Sequence, residues 1–461
     1  MQQKKNFRLL DSVLMTVVVI LVAEAAAPTA GIGNSQFFWW IALFISFFIP
    51  YGLVSAELGT AYQNEGGIYA WINHAYGPKA GSRAAWYYWI NFPLWMASLA
   101  VLFTSTLTKI SGWEITSLPA LLLELFFLII VNIVGNIKIG SSKWLLNIAA
   151  IFKALIMISL GILGIYTAFT QGSANEYDLA SFIPTFDMSS ISLISVIIFN
   201  FLGFEVVTTL SSDMPDPKKQ IPKAIFLGGI FIMAFYMLAS FGIGVAIPAS
   251  DITVDGGLLD SIALLAGDNY PLFTTLIGIM FIVTLFANLI SWSLGVNTVA
   301  CYAAKNSSLP KIFAKCSSDG TPIGTAAMNF IVASILVMIS HCLENQDVFW
   351  NFFALNMVTL LLSYVLIFPA FRKLRQIDAS RTRPFKVGGS PLFINLITYI
   401  PMCVLILSII LLIIPFNVEE MDSKLPLLFG TICSLVVGEG IAWRVNKNYN
   451  EKERGYNIEN N

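Results

Sequence analysis

Two glutamates and one lysine lie inside long apolar runs, where charged side chains are rare and usually functional. Glu24 follows the run LLDSVLMTVVVILV, Glu205 lies in NFLGFEVVTTL, and Lys153 lies in NIAAIFKALIMISLG. A carboxylate in hydrocarbon is costly unless a cation accompanies it or it takes up a proton. These side chains therefore predict recognition of a cation, or transfer of a proton, at membrane depth.

The composition indicates that the surrounding solvent is a lipid bilayer. Of the 461 residues, 57% are hydrophobic and 11% are charged, and the mean hydropathy is +0.76. Such a balance cannot cover a water-soluble surface.

The five cysteines lack a CxxC spacing and there are two histidines, so we expect no metal site, no cofactor and no catalytic residue. A membrane enzyme would need a nucleophile or a His/Asp cluster, and a channel would need a continuous polar stripe; the sequence shows neither. No basic stripe suggests binding to nucleic acid.

Twelve apolar runs are long enough to cross a bilayer, which takes about 20 residues. Numbered in chain order as spans 1 to 12, they lie near 10–33, 37–60, 85–108, 117–137, 144–169, 189–211, 224–248, 270–303, 322–341, 348–371, 391–416 and 425–443. With both termini in the cytoplasm, only Lys109 and Lys424 of the 26 basic residues fall outside the cell, and only Lys153 falls within a span. This distribution follows the positive-inside rule, whereas eleven spans would leave a basic loop outside. We expect a multi-pass protein of the plasma membrane with cytoplasmic termini.

Spans 1 and 6 are interrupted at AEAAAPTAGIG and NFLGFEVVTTL. Interrupted helices at matching places in two five-helix halves predict an inverted repeat of the secondary-transporter kind, with a binding site near the midplane. We expect one transport domain, with a first repeat over 1–170, a second over 189–371, two additional helices over 391–443 and a cytoplasmic tail over 444–461. The alternative is that Pro28 and Gly203 only kink packed helices, but a kink does not require a carboxylate.

Three stretches of the chain carry a family resemblance: AELGTAYQNEGGIYAWINHAYGPKAG (56–81), GFEVVTTLSSDMPDPKKQIPKAI in span 6, and AAKNSSLPKIFAKCSSDGTPIGT (303–325). They resemble the amino acid, polyamine and organocation transporter superfamily, in particular its glutamate/GABA antiporter-like and agmatine-exchanger relatives. The resemblance covers nearly the whole chain. It implies an all-α integral membrane fold of twelve helices with a LeuT-like 5+5 inverted repeat, and alternating access to a substrate between spans 1, 3, 6, 8 and 10.

The resemblance also implies site residues. The positions that match the family's substrate contacts are Val22, Ala23, Glu24, Ala25, Asn91, Phe92, Trp95, Phe199, Glu205, Trp292 and Asn356. Many relatives have a Gly-Ser-Gly triplet at the span-1 break, whose amides hold a substrate carboxylate. Here Leu21, Val22 and Ala23 replace it. Lys153 matches a span-5 lysine that in several sodium-independent relatives supplies the charge of a sodium ion, and we expect it to act in coupling.

A cationic substrate is favoured by Glu24 together with the aromatic residues Trp95, Phe199 and Trp292. An ammonium or guanidinium over an aromatic face gains about 0.5 to 2 kcal/mol. Two other roles for Glu24 stay open: a protonated hydrogen-bond donor, or proton coupling without substrate contact. We expect a secondary transporter that exchanges a cationic amine or amino acid for its metabolic product, most concretely agmatine for putrescine. The alternative is a neutral or acidic amino-acid exchanger, including a glutamate/GABA type. The expected partners are this substrate and the lipid bilayer, and a homodimer is compatible with the sequence.

Overall fold

The computed structural model describes residues 8–63, 66–136, 139–184, 188–209, 214–253, 257–267, 271–342, 348–415 and 421–459. In these ranges the chain is helical and forms no β-strand. The α-helices in chain order are α1 (Leu9–Ile20), α2 (Ala26–Ala30), α3 (Gln36–Leu43), α4 (Ile49–Ala61), α5 (Gly67–Tyr76), α6 (Pro78–Ser111), α7 (Ser117–Gly135), α8 (Ile139–Thr170), α9 (Met188–Phe199), α10 (Val206–Thr209), α11 (Pro217–Ala246), α12 (Gly257–Ala266), α13 (Pro271–Lys305), α14 (Ile323–Ser340), α15 (Val348–Tyr364), α16 (Ile367–Ile377), α17 (Pro391–Ile413) and α18 (Met421–Glu459). Shorter turns are 3-10 helices at Ala23–Ala25, Ala249–Asp251 and Lys311–Ala314, and a π-helical turn at Phe44–Phe48.

Ten helical segments within these ranges are long and apolar enough to cross a membrane. They are Gln36–Ala61, Pro78–Ser111, Ser117–Gly135, Asn147–Thr170, Pro217–Ala246, Pro271–Lys305, Ile323–Ser340, Val348–Ile377, Pro391–Ile413 and Lys424–Tyr449. The prediction of an all-α, multi-pass membrane protein is therefore confirmed. The other two sequence-predicted spans fall on interrupted helices, α1 with α2 and α9 with α10, whose pieces have 12, 5, 12 and 4 residues. Each piece is too short to cross a bilayer alone.

The first interruption separates α1 from α2. The backbone leaves the helical conformation at Leu21 and Val22, whose ψ angles are 105° and 96°. The 3-10 turn Ala23–Ala25 then leads into α2. Pro28 lies in the first turn of α2, where a proline is tolerated because few intrahelical N–H bonds are lost. The proline thus lies in the first turn of the second half-helix and does not kink a continuous one.

The second interruption lies between α9 and α10, and it requires a glycine. Gly203 has a φ of +100°, in the left-handed region that side-chain-bearing residues rarely adopt. A Cβ added at Gly203 would lie 3.1 Å from Cζ2 of Trp292 on α13. Both the backbone turn and the approach of the tryptophan ring therefore depend on this glycine.

The two interrupted helices are surrounded by long continuous helices. Helix α1 packs against α8, α11 and α13, whereas α9 packs against α15 and α17 and α10 packs against α11 and α13. Helices α8 and α11 approach very closely, because a Cβ at Gly164 would lie 2.5 Å from Cα of Gly242. Small residues permit such contacts between membrane helices. This packing places Lys153 of α8 and Tyr236 of α11 on helices that flank the break in α1.

Candidate functional site

The unwound backbone of the first break is bound by a tyrosine of α11. The N–H of Val22 donates a hydrogen bond of 2.8 Å to the Tyr236 hydroxyl, and that hydroxyl donates one of 2.9 Å to the Val22 carbonyl. Tyr236 is fully buried, and its ring stacks on Trp40 at a centroid distance of 5.0 Å. Backbone groups at membrane depth must be satisfied inside the protein. The Tyr236 hydroxyl pairs with both groups of Val22, and the Val22 carbonyl also accepts from the N–H of Ala25 at 3.0 Å.

Glu24 lies in the 3-10 turn directly after this contact and is 3% exposed. Neither of its carboxylate oxygens has a hydrogen-bond partner among the described residues. Glu24 interacts electrostatically with Lys153, which is fully buried on α8, the helix that packs against the turn. Buried carboxylates are usually hydrogen-bonded. Glu24 can therefore accept donors from a bound cation or from water.

Glu205, at the second break, has a very different environment. Its carboxylate accepts hydrogen bonds from three tyrosine hydroxyls: 2.5 Å from Tyr51, 3.0 Å from Tyr88 and 2.6 Å from Tyr364. These tyrosines belong to α4, α6 and α15, and Glu205 is buried between them. Three donors suit an ionised carboxylate, which can only accept. Glu205 therefore joins the second break to three other helices.

Two of the sequence-predicted aromatic contacts lie together with a third ring that the sequence reasoning missed. The ring centroids of Trp95, Phe199 and Phe353 are 5.3 to 5.9 Å apart, and we call these three residues the aromatic triangle. The indole N–H of Trp95 donates a hydrogen bond of 2.8 Å to Asn288. Trp292 packs on Gly203 instead.

The remaining expected contacts are also buried. The side-chain amide of Asn91 donates a hydrogen bond of 2.5 Å to the carbonyl of Tyr88, and Phe92 lines a small cavity of about 10 Å³. Neither amide atom of Asn356 has a partner among the described residues. The most exposed member of the whole predicted set is Phe199, at 6%. Every residue of the predicted contact set is thus buried in this conformation.

Sequence reasoning missed the residues that hold the two breaks. They are Tyr51, Tyr88, Tyr236, Tyr364 and the ring of Phe353. A usable signal was present, because a buried tyrosine hydroxyl normally finds a hydrogen-bond partner. Tyrosines deep within apolar spans therefore indicate polar groups nearby.

A second polar cluster lies apart from the breaks, at the end of α4. Glu57, part of the first family stretch, is buried and accepts hydrogen bonds from both Arg375 and the N–H of Val387, with Arg383 at 3.3 Å. These contacts anchor the end of α16 and the segment after it to α4. A nearby cavity of about 350 Å³ is lined by Tyr62, Gln63, Tyr69, Ala70, Asn73, His74, Tyr302, Asn306 and Arg381. None of these residues belongs to the predicted contact set.

Interrupted membrane helices with buried charges at the breaks are typical of secondary transporters. A sequence profile of the amino acid permease family matches residues 7–437, and the chain belongs to that family. The resemblance to the amino acid, polyamine and organocation superfamily is thus confirmed.

Similar proteins include a probable agmatine/putrescine antiporter, AguD, of Lactococcus lactis subsp. lactis. It is 48% identical over 444 residues, covering 96% of this chain and 95% of that protein. A glutamate/gamma-aminobutyrate antiporter of the same bacterium is 21% identical, with coverages of 82% and 83%. The solved structure of MhsT in complex with L-phenylalanine has a TM-score of 0.59 at 16% identity, covering 87% of this chain and 97% of that one. At 16% identity, the similarity to MhsT supports the fold alone.

Proposed function

We propose that this protein is an antiporter that exchanges agmatine for putrescine across the plasma membrane. The observation that carries the proposal is Glu24, a buried carboxylate at a helix break whose oxygens have no hydrogen-bond partner among the described residues. Both amines are cationic at neutral pH, carry several N–H donors and lack a carboxylate. The relative that is 48% identical bears the name of an exchanger of these two amines, which supports the choice.

In this proposal the ammonium or guanidinium group of the substrate lies against Glu24. The aromatic triangle and Trp292 face the cation, and Asn91, Phe92 and Asn356 complete the site together with the backbone and side chains of Val22, Ala23 and Ala25. Charge-assisted hydrogen bonds to a desolvated carboxylate are strong. Glu205 reaches the substrate only if it first releases its tyrosine hydroxyls. Its first role in the proposal is to hold the second break against α4, α6 and α15.

Lys153 acts in coupling because its ammonium and the substrate cation interact with the same carboxylate, that of Glu24. Its ammonium is the electrostatic partner of Glu24 across the contact between α8 and the first break. A substrate cation at Glu24 also repels the Lys153 ammonium, so the net electrostatic stabilisation of Lys153 at this position falls. Occupancy of the site is thereby linked to the position of α8 relative to α1. Such a difference in contacts is what a ligand needs to shift a conformational equilibrium.

The proposal includes twelve spans with both termini in the cytoplasm. The two interrupted helices add to the ten continuous spans of the described residues. The repeats are then 1–170 and 189–371, followed by two further helices in 391–443 and a tail over 444–461. The scarcity of basic residues in the expected outer loops supports this orientation.

Exchange in proteoliposomes tests the function. Purified protein is reconstituted with internal putrescine, and uptake of labelled agmatine is measured against liposomes without protein. We expect rapid uptake with internal putrescine or agmatine, and little uptake with internal glutamate or GABA. Uptake of labelled glutamate driven by internal GABA, together with no amine exchange, would assign the protein to the acidic amino-acid alternative.

A further inference from the structure

The contact between Tyr236 and Val22 occupies backbone groups that a transporter of this fold can use to hold an anionic substrate group. Amides exposed at an unwound helix bind carboxylates well, because the N–H groups and the half-helix dipole both favour negative charge. Here the N–H of Val22 is bound to the Tyr236 hydroxyl, and the neighbouring N–H of Leu21 is bound to the carbonyl of Val17 at 2.9 Å. We propose that Tyr236 determines specificity by excluding substrates that carry an α-carboxylate.

The Tyr236 hydroxyl is difficult to displace because it has two roles. It accepts from the Val22 N–H and donates to the Val22 carbonyl. A substrate carboxylate could replace the first hydrogen bond, but it has no proton to donate for the second, so the Val22 carbonyl would keep only the N–H of Ala25 at 3.0 Å. Its entry would also leave the buried phenol hydroxyl without its partners, which is unfavourable. Replacement of the neutral Tyr236 hydroxyl at Val22 by an anionic carboxylate is therefore unfavourable.

The ring of Tyr236 is held in place by its aromatic neighbours. It stacks on Trp40 with an interplanar angle of 16°, and Trp40 in turn contacts Phe201 edge-to-face at 5.1 Å. All three side chains are fully buried. Interiors packed in this way do not deform continuously. The hydroxyl therefore cannot swing aside without moving the neighbouring rings.

Glu24 acts in the same direction as Tyr236. It follows Val22 by two residues and lies within electrostatic range of Tyr236. A substrate carboxylate bound at the Val22 N–H would lie close to the Glu24 carboxylate, and like charges repel strongly when they are buried. Tyr236 occupies the N–H of Val22, and the Glu24 carboxylate repels the negative charge of the substrate. This inference rests on the proposed amine exchange and adds the reason why amino acids are rejected.

Two ligand pairs isolate the carboxylate: agmatine with L-arginine, and putrescine with L-ornithine. Within each pair the only difference is one carboxylate group. Affinities for all four are measured by calorimetry on wild type and on Tyr236→Phe, which keeps the ring and its stacking on Trp40. We expect the ratio of agmatine to L-arginine affinity to fall about tenfold in the variant, the scale of one hydrogen bond to a charged group. The fall in this ratio should come from tighter binding of L-arginine, with agmatine affinity changed by less than about threefold.

Tyr177→Phe is the matched control. The Tyr177 hydroxyl also donates to the backbone of α11, at the Phe241 carbonyl, but at 3.3 Å and away from the break. Its removal should leave both ratios unchanged. If Tyr236→Phe does not yield folded protein, Tyr236→Met removes the hydroxyl with a flexible apolar side chain.

The outcomes separate this inference from the proposed function. Wild type that binds the amines, together with an unchanged ratio in a folded Tyr236 variant, overturns the role of Tyr236 alone. Wild type that binds neither agmatine nor putrescine overturns the proposed exchange and this inference with it. A loss of all ligand binding in a folded Tyr236→Phe, with no gain for L-arginine, shows that the tyrosine only supports the helix break.

Discussion

The hydroxyl of Tyr364 donates a hydrogen bond of 2.6 Å to Oε1 of Glu205 and so joins α15 to the second helix break. Tyr88 shares the same oxygen at 3.0 Å, and Tyr51 donates to the other oxygen at 2.5 Å. The carboxylate oxygens of Glu205 therefore have their hydrogen-bond donors within the protein itself. A substrate is not needed to supply them.

Glu24 is the corresponding carboxylate at the first break, and it has no such donors among the described residues. Its compensation is the charge of Lys153, through an electrostatic interaction with α8. Two glutamates that look alike in sequence thus differ in what they can offer a ligand. Glu24 is available to N–H donors, whereas the oxygens of Glu205 are occupied.

The first prediction compares these two carboxylates. Glu24→Gln keeps the shape and removes the charge, so agmatine affinity measured by calorimetry should fall roughly ten-fold to a hundred-fold, the effect of losing about 1.5 to 3 kcal/mol. Glu205→Gln should weaken agmatine binding much less. Glu124→Gln is the control, because Glu124 is also 3% exposed but pairs with His341.

Thermal unfolding of each variant accompanies the binding measurement. Glu24→Gln removes the electrostatic partner of Lys153, and an uncompensated buried charge lowers stability. A folded Glu24→Gln with wild-type affinity for every cationic ligand would contradict the amine site. The neutral or acidic amino-acid alternative would then be favoured.

The second prediction concerns Tyr364 and stability. Tyr364→Phe deletes one charge-assisted donor to Glu205 but leaves those of Tyr51 and Tyr88. We expect the free energy of unfolding in mixed micelles to fall by about 1 to 2 kcal/mol. Tyr166→Phe, at a side chain 62% exposed on α8, should change it very little. Equal stability of the two variants would mean that Glu205 does not depend on this donor.

Much of the architecture was predictable from sequence, because membrane spans are dictated by local composition. The breaks were also predictable, since Glu24 with Pro28 and Glu205 with Gly203 each interrupt an apolar run. The orientation and the repeat boundaries remain predictions.

The contacts that distinguish the two glutamates could not be predicted in the same way. Tyr236 lies 214 residues from Val22, and Tyr364 lies 159 residues from Glu205. Such pairs depend on how helices pack, and no periodicity within one helix reveals them. Lys153 was recognised from sequence as an intramembrane charge and, through the family resemblance, as a coupling residue. Its pairing with Glu24 required the placement of α8 against the first break.

The third prediction concerns Lys153. If its charge links substrate occupancy to the position of α8, Lys153→Ala should insert into the membrane normally but lose or uncouple exchange. Lys153→Arg should restore only part of the activity, because a guanidinium is larger and binds differently. The measurement is agmatine/putrescine exchange in proteoliposomes over a range of pH. Full exchange by Lys153→Ala with an unchanged pH profile would show that this lysine has no part in coupling.

The fourth prediction tests the orientation of the chain. Ser173 and Ser380 are both exposed, and we expect them on opposite sides of the membrane. In a variant without the five native cysteines, an impermeant maleimide should label Ser173→Cys in intact cells and Ser380→Cys only after permeabilisation. Asp255, another position expected outside, lies beyond the described residues. Labelling of Ser380→Cys in intact cells would reverse the proposed orientation.

The last prediction uses two glycines that share a left-handed backbone. Gly203 and Gly172 have φ angles of +100° and +92°. A Cβ at Gly203 would lie 3.1 Å from the Trp292 ring, whereas one at Gly172 would meet nothing within 4 Å. Alanine at either position should cost about 1 to 2 kcal/mol of stability through backbone strain.

Only Gly203→Ala should also weaken agmatine binding, because it must displace the ring of Trp292. Calorimetry with agmatine separates the two effects, since strain alone lowers stability in both variants. Loss of affinity in Gly203→Ala, with wild-type affinity in Gly172→Ala, supports a substrate contact for Trp292. Wild-type affinity in both would place Trp292 in the helix packing and leave the aromatic triangle to face the cation.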